Sequence, residues 1–138
     1  MSRQGAKSAR NEPDGDVDTL AHSVIGAAIE VHRHLGPGYL ESVYEEAIAI
    51  EFEVQGIPYE RQCSVAVSYK GRLVGQGKID FVVGEKLVVE LKAIEKLLPV
   101  HTAQVISYLK ATGCQVGLLI NFDERTLRQG VKRVVLTE

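Results

Sequence analysis

The sequence lacks most of the features that would commit it to a specialised class. It has only two cysteines in 138 residues, Cys63 and Cys114. They form no C-x-x-C pattern and are too few for a disulfide framework, so both read as small buried hydrophobes. No apolar run approaches the roughly 20 residues that span a bilayer. The residues before Asp18 lack the apolar stretch of a secretory signal. The expected location is therefore cytoplasmic, with no membrane partner. There is no Gly-rich phosphate loop, no Ser-His-Asp arrangement and no zinc spacing, which sets aside several classes of small-molecule enzyme. Internal repeats and low-complexity segments are absent too. Nor is there an excess of basic charge: 16 Lys and Arg against 18 Asp and Glu leave a net charge of -2. That balance excludes a protein coating DNA by charge alone. It leaves room for an enzyme that meets its substrate through a metal ion and a local basic patch.

What is present is the composition of an ordinary globular domain, 45% hydrophobic and 25% charged. A chain of this length can build one core without staples. Residues 1–17 are polar, with Gly, Pro and both charge signs, and read as a disordered tail; residues 18–138 form the domain. Leu20, Val24, Ala27, Ala28, Val31 and Leu35 recur at helical spacing, with Asp18 as a cap and Gly36 as a stop. A second helix is expected from about Leu40 to Gln55, ended by Gly56. After Pro58 the texture becomes β. Val65, Val67 and Tyr69 alternate, Lys70-Gly71 turns the chain, and strands follow over Leu73 to Val83 and Lys86 to Lys92. A helix starting at Pro99 runs to about Ala111, then a strand from Val116 to Phe122. A short helix near Glu124 to Gln129 and a strand around Val131 to Leu136 close the domain.

Two lone acids interrupt these apolar strands. With Gly84-Glu85-Lys86 as the hairpin loop, the pairs run Val83 with Leu87, Val82 with Val88, Phe81 with Val89 and Asp80 with Glu90. Two carboxylates so placed, about 5 Å apart at Cβ, repel unless a cation lies between them. Mg²⁺ or Mn²⁺ takes hard oxygen ligands, often only one or two carboxylates with water. Lys92 lies one pleat beyond Glu90 on the same face and suits the orientation of a water or a developing negative charge. The bland alternative is an Asp/Glu pair neutralised by Lys92 on a solvated sheet face. The apolar setting of both strands weighs against it.

Asp80, Glu90-Leu91-Lys92 and the helix that follows resemble the PD-(D/E)xK nuclease superfamily. Gly38-Tyr39-Leu40-Glu41-Ser42-Val43-Tyr44 resembles the motif that names its GxxExxY group. The likeness extends from about Leu20 to Leu136. It implies an α/β fold with a restriction-endonuclease-like αβββαβ core, a mixed central sheet flanked by helices, and one extra helix at the N-terminus. It further implies Asp80 and Glu90 as metal ligands for Mg²⁺ or Mn²⁺, Lys92 as the catalytic lysine, and DNA or RNA as substrate. The proline usual before the aspartate is replaced by Ile79.

The superfamily often adds a glutamate from its first core helix. Glu41 falls beside Ile48 and Phe52 on the inward arc, while Glu45 is expected further round toward solvent. A first-turn glutamate favoured by the helix dipole remains the alternative for Glu41. Gln104 and Tyr108, four apart on one helix face, resemble the Q-x-x-x-Y pattern of RecB-like members, with Gln104 near the metal or the substrate backbone and Tyr108 supporting the substrate. A polar pair capping the sheet is the alternative. Lys78 shares a strand face with Asp80 and is placed to touch a phosphate. Lys70, Arg72, Lys96 and Lys110 are available for a basic rim. His101 is near enough to face the same cleft, whereas His32 and His34, two apart on a helix, do not share a face. A homodimer would double the basic surface. The rival to a nuclease is a domain of the same fold that has lost its chemistry and binds protein or nucleic acid.

Overall fold

In a computed structural model, which describes residues 15–137, helix α1 spans Gly15–Leu35 and buries Val17, Ala21, Val24, Ala27, Ala28 and Val31 along one stripe. The helix begins three residues before Asp18, so that residue is not its cap. Asp18 lies in the first turn, where its carboxylate accepts from Arg133 at 2.7 Å. The remainder of the expected tail, residues 1–14, lies outside the described residues.

Helix α2, Glu41–Gln55, is joined to α1 by a tight loop and ends at Gly56 in the left-handed conformation (φ 71°). The loop is locked from α2 itself. The hydroxyl of the fully buried Tyr44 donates to the carbonyl of Gly36 at 2.6 Å and accepts from the amide of Tyr39 at 3.2 Å. The Tyr44 ring stacks on Phe122, with centroids 4.5 Å apart. Gly38, at φ 109°, supplies a backbone conformation that L side chains rarely adopt. The spacing Gly38, Glu41, Tyr44 is thus a turn, an acid in the first turn of the helix, and the lock that holds the turn. Tyr44→Phe keeps the stack and removes both hydrogen bonds. We expect it to cost about 1–2 kcal/mol, read as a lowered melting temperature.

Five strands follow in spatial order: β1 (Tyr59–Tyr69), β2 (Arg72–Val83), β3 (Leu87–Lys92), β4 (Val116–Asn121) and β5 (Val131–Val135). β1, β2 and β3 form an antiparallel meander, β4 runs parallel to β3, and β5 is antiparallel to β4. Helix α3, Pro99–Thr112, makes the crossover from β3 to β4, as a parallel pair requires. A 3-10 turn at Leu127–Gly130 replaces the short helix expected near Glu124 to Gln129. The alternation of Leu87, Val89 and Leu91 against Val88 splits the core in two. Leu87, Val89 and Leu91 pack under α1 and α2 with Phe52, Phe81 and Phe122, while Val88 packs under α3 with Ile79, Val105 and Leu109. Ile79, in the place of the superfamily's proline, is fully buried in that second layer. Both cysteines are free, Cys114 buried and Cys63 half-buried.

Candidate active site

The ladder between β2 and β3 runs Val83 with Leu87, Val82 with Val88 and Phe81 with Val89, the register read from the sequence. It stops one pair short of Asp80 and Glu90. Instead of pairing backbone to backbone there, the two side chains bridge the gap. The Asp80 amide donates to Glu90 Oε2 at 2.8 Å, and the Leu91 amide donates to Asp80 Oδ2 at 2.8 Å. Each carboxyl is thereby pinned by the other strand, with rotamers fixed by main chain.

The electrostatics of this pair are costly. Glu90 is 3% exposed. Burial, then the charge of Asp80, push its pKa up to about 8. Burial also raises Asp80, with Glu45 adding to the rise and the Leu91 amide and Lys92 opposing it. Glu41, at the first turn of α2, is raised by partial desolvation and by Asp80, with Lys92 opposing. Asp80, Glu90, Glu41 and Lys92 therefore share one electrostatic neighbourhood, built from β2, the end of β3 and the start of α2. Lys92 ends β3; its carbonyl accepts from the Phe122 amide at 2.8 Å, which ties that end to β4.

Helix α3 closes the other side. Tyr108 lies over Gly77, where a Cβ would come within 3.0 Å of its ring. Its hydroxyl donates to the Lys78 carbonyl at 3.2 Å. The Tyr108 pKa is raised by burial, then by Glu90 and Asp80, and lowered by a hydrogen bond with Gln104. The amide oxygen of Gln104 is buried without a hydrogen-bond partner, an uncommon state for a buried acceptor. His101 is turned to a local task, accepting from the Leu98 amide at 2.9 Å. His32 is buried against the Glu124 carbonyl, whereas His34 is exposed and pairs with Glu30, so the two are indeed apart.

Three residues escaped the sequence reading. Glu45 does not face solvent: its side chain is 14% exposed and accepts from Arg61 Nε at 2.9 Å. The signal was available, since Glu41, Glu45, Ile48 and Phe52 recur at spacings of four, three and four. Gln62, with φ 53° in the midst of β1, donates to Glu45 at 3.0 Å and reaches Asp80 Oδ1 at 3.4 Å. Asn121 is fully buried at the end of β4 and clasps Ile94 at both backbone atoms, 3.1 Å and 2.9 Å, fixing the chain just after Lys92.

The sequence model of the PD-(D/E)XK nuclease superfamily matches residues 18–134. The chain belongs to that superfamily. The five-stranded mixed sheet flanked by helices is its restriction-endonuclease-like fold. No curated protein matches the chain. Among solved structures, SSO0001 is similar with a TM-score of 0.45 at 15% identity, over 86% of this chain and 78% of that one. Members of the PD-(D/E)XK superfamily are usually nucleases, generally with divalent metals, and no helix among the described residues is long and apolar enough to cross a membrane.

No three His, Cys, Asp or Glu side chains among the described residues are gathered as a ready cation cage. The donor set nevertheless fits a hard cation. Mg²⁺ commonly uses one or two protein carboxylates with water, and Asp80 and Glu90 supply two whose burial and mutual repulsion a divalent charge would offset.

Proposed function

We propose that this chain is a Mg²⁺- or Mn²⁺-dependent nuclease of the GxxExxY group that hydrolyses phosphodiester bonds in DNA or RNA. The observation that carries the reading is the interlocked pair of carboxyls, Glu90 buried and Asp80 half-buried, with Lys92 one pleat beyond Glu90 on the same strand. An Asp/Glu pair kept only for structure would be cheaper as an apolar pair in strands this apolar. Asp80 and Glu90 would hold the ion, with Glu41 assisting from α2. When bound, such an ion polarises a phosphoryl oxygen and acidifies a water. The Lys92 ammonium orients the attacking water and offsets negative charge building at phosphorus. Gln104 offers its unpartnered amide oxygen beside Tyr108. Tyr108, held by the Lys78 carbonyl, sets the wall against which the substrate backbone lies, and the Lys78 ammonium meets a phosphate. Arg61, Gln62 and Glu45 position Asp80 from behind. The protein acts in the cytoplasm, and a homodimer doubles its modest basic surface.

The test is Mn²⁺-dependent cleavage of a mixed panel of DNA and RNA substrates, with Asp80→Ala beside the wild type. Cleavage by the wild type that vanishes in the variant is the expected result; equal cleavage by both would overturn it. A second reading, a domain of this fold retired to binding, draws on the carboxyls being already satisfied by backbone donors. It predicts no thermal response to Mn²⁺ and a gain in stability when Asp80 becomes apolar.

A further inference from the structure

The chain's acidity is unevenly spread. From Arg61 to Ile79 there is no Asp or Glu and there are four bases, Arg61, Lys70, Arg72 and Lys78; the chain totals -2, so the remainder carries -6. Arg61 is consumed by Glu45 and Glu46. Among the described residues Lys70, Arg72 and Lys78 have no acidic partner, and Lys70 instead lies 5.5 Å above the ring of Tyr69.

This basic stretch is also the part of the sheet that stands clear of it. β3 pairs with β2 only over Phe81 to Val83, so Arg72 to Ile79 has β1 on one edge and no strand on the other. Tyr108 covers the root of this ribbon at Gly77 and Val65. Beyond it every residue from Ala66 to Val74 is exposed, including Val67, Tyr69, Leu73 and Val74 at 49%, 64%, 62% and 62%.

We propose that the β1–β2 ribbon is a groove-entering arm that grips duplex DNA away from the cleavage site. This rests on the nuclease reading and extends it to how the substrate is held. A two-stranded ribbon fits the major groove of B-form DNA but not the deep, narrow one of an RNA duplex. Asp80 lies nine positions along the chain from the tip at Gly71, and at about 3.3 Å per residue the arm reaches roughly 30 Å, close to one turn of DNA. Lys70 and Arg72 at the tip meet phosphates across the groove. Tyr69, Leu73 and Val74 offer apolar surface to sugars and thymine methyl groups.

The experiment is equilibrium binding by fluorescence anisotropy in EDTA, so that no cleavage occurs. The probes are DNA duplexes of 10 and 24 base pairs, a 24-base-pair RNA duplex and single-stranded DNA, measured against salt. Wild type is compared with Lys70→Gln/Arg72→Gln, whose substitutions lie on exposed positions away from the carboxyl pair. We expect the wild type to prefer the 24-base-pair DNA duplex. The variant should lose about tenfold or more on it, with the salt slope reduced by about two and little change on the 10-base-pair duplex. Equal affinity and slope for both proteins, or equal affinity for the RNA duplex, would overturn the arm. So would a change of oligomeric mass in Val67→Ser/Leu73→Ser at unchanged DNA affinity, which would make the arm a contact between copies. Failure of the two readings is separable. Arm-dependent binding without Asp80-dependent cleavage removes the nuclease and keeps the arm. Asp80-dependent cleavage indifferent to the tip substitutions does the reverse.

Discussion

Lys92→Ala is expected to lower the cleavage rate by about 10²–10³-fold while leaving the melting temperature close to that of the wild type. The size follows from losing one preorganised positive group beside a centre where negative charge develops. The small effect on stability follows from the surroundings. Lys92 ends β3 half-buried, and what ties its backbone in place is the Phe122 amide bond to its carbonyl, which alanine keeps. Removing the ammonium also removes the one positive charge that lowers Asp80, Glu90 and Glu41 alike. The variant's rate should therefore fall most steeply at neutral pH, below the value of about 8 at which Glu90 gives up its proton. Single-turnover cleavage from pH 6 to 9, with melting curves on the same preparations, measures both. A rate within a factor of three of wild type across that range would remove Lys92 from the chemistry.

Glu90→Gln is expected to stabilise the protein at alkaline pH and to abolish its thermal response to Mn²⁺. Glu90 titrates near 4.5 when exposed and at about 8 in the fold. Between those values the folded chain keeps a proton that the unfolded chain has released. Stability follows the difference in bound protons, so it declines as pH rises through this window and levels off above it. Glutamine cannot ionise, and its side-chain oxygen still accepts from the Asp80 amide. At pH 9 the variant should be more stable by roughly 2–4 kcal/mol, and the two proteins should converge near pH 5. A divalent cation acts in the opposite sense on the wild type alone. At about a hundredfold excess over its dissociation constant it adds about 2.7 kcal/mol. Melting curves at pH 5, 7 and 9 with and without Mn²⁺ carry the test; parallel pH profiles for the two proteins would refute it.

The sequence by itself determined the order of elements, the β2–β3 register through Val83 and Leu87, and the placing of Asp80, Glu90 and Lys92 together. These rest on local physics. A strand alternates with period two, a short hairpin loop fixes which residues face one another, and Gly56 and Gly113 end helices by backbone conformation alone. Tertiary structure decided how the carboxyls are held. Nothing local tells Asp80 and Glu90 to abandon their ladder pair and accept from each other's strand. The rotation of α2 was likewise undetermined. Ile50 and Val54 are apolar yet 62% and 73% exposed, so the apolar arc of that helix is broader than its buried face and points away from Glu45. What turns Glu45 inward is Arg61 and Gln62, on a strand that begins after α2 has ended. Asn121 gives the same lesson. In the sequence it is one polar residue closing an apolar run, and only the parallel pairing of β4 with β3 sets it opposite Lys92 and within reach of Ile94. Partners distant in the chain are chosen by packing, because a side chain's neighbours depend on how whole elements sit against one another.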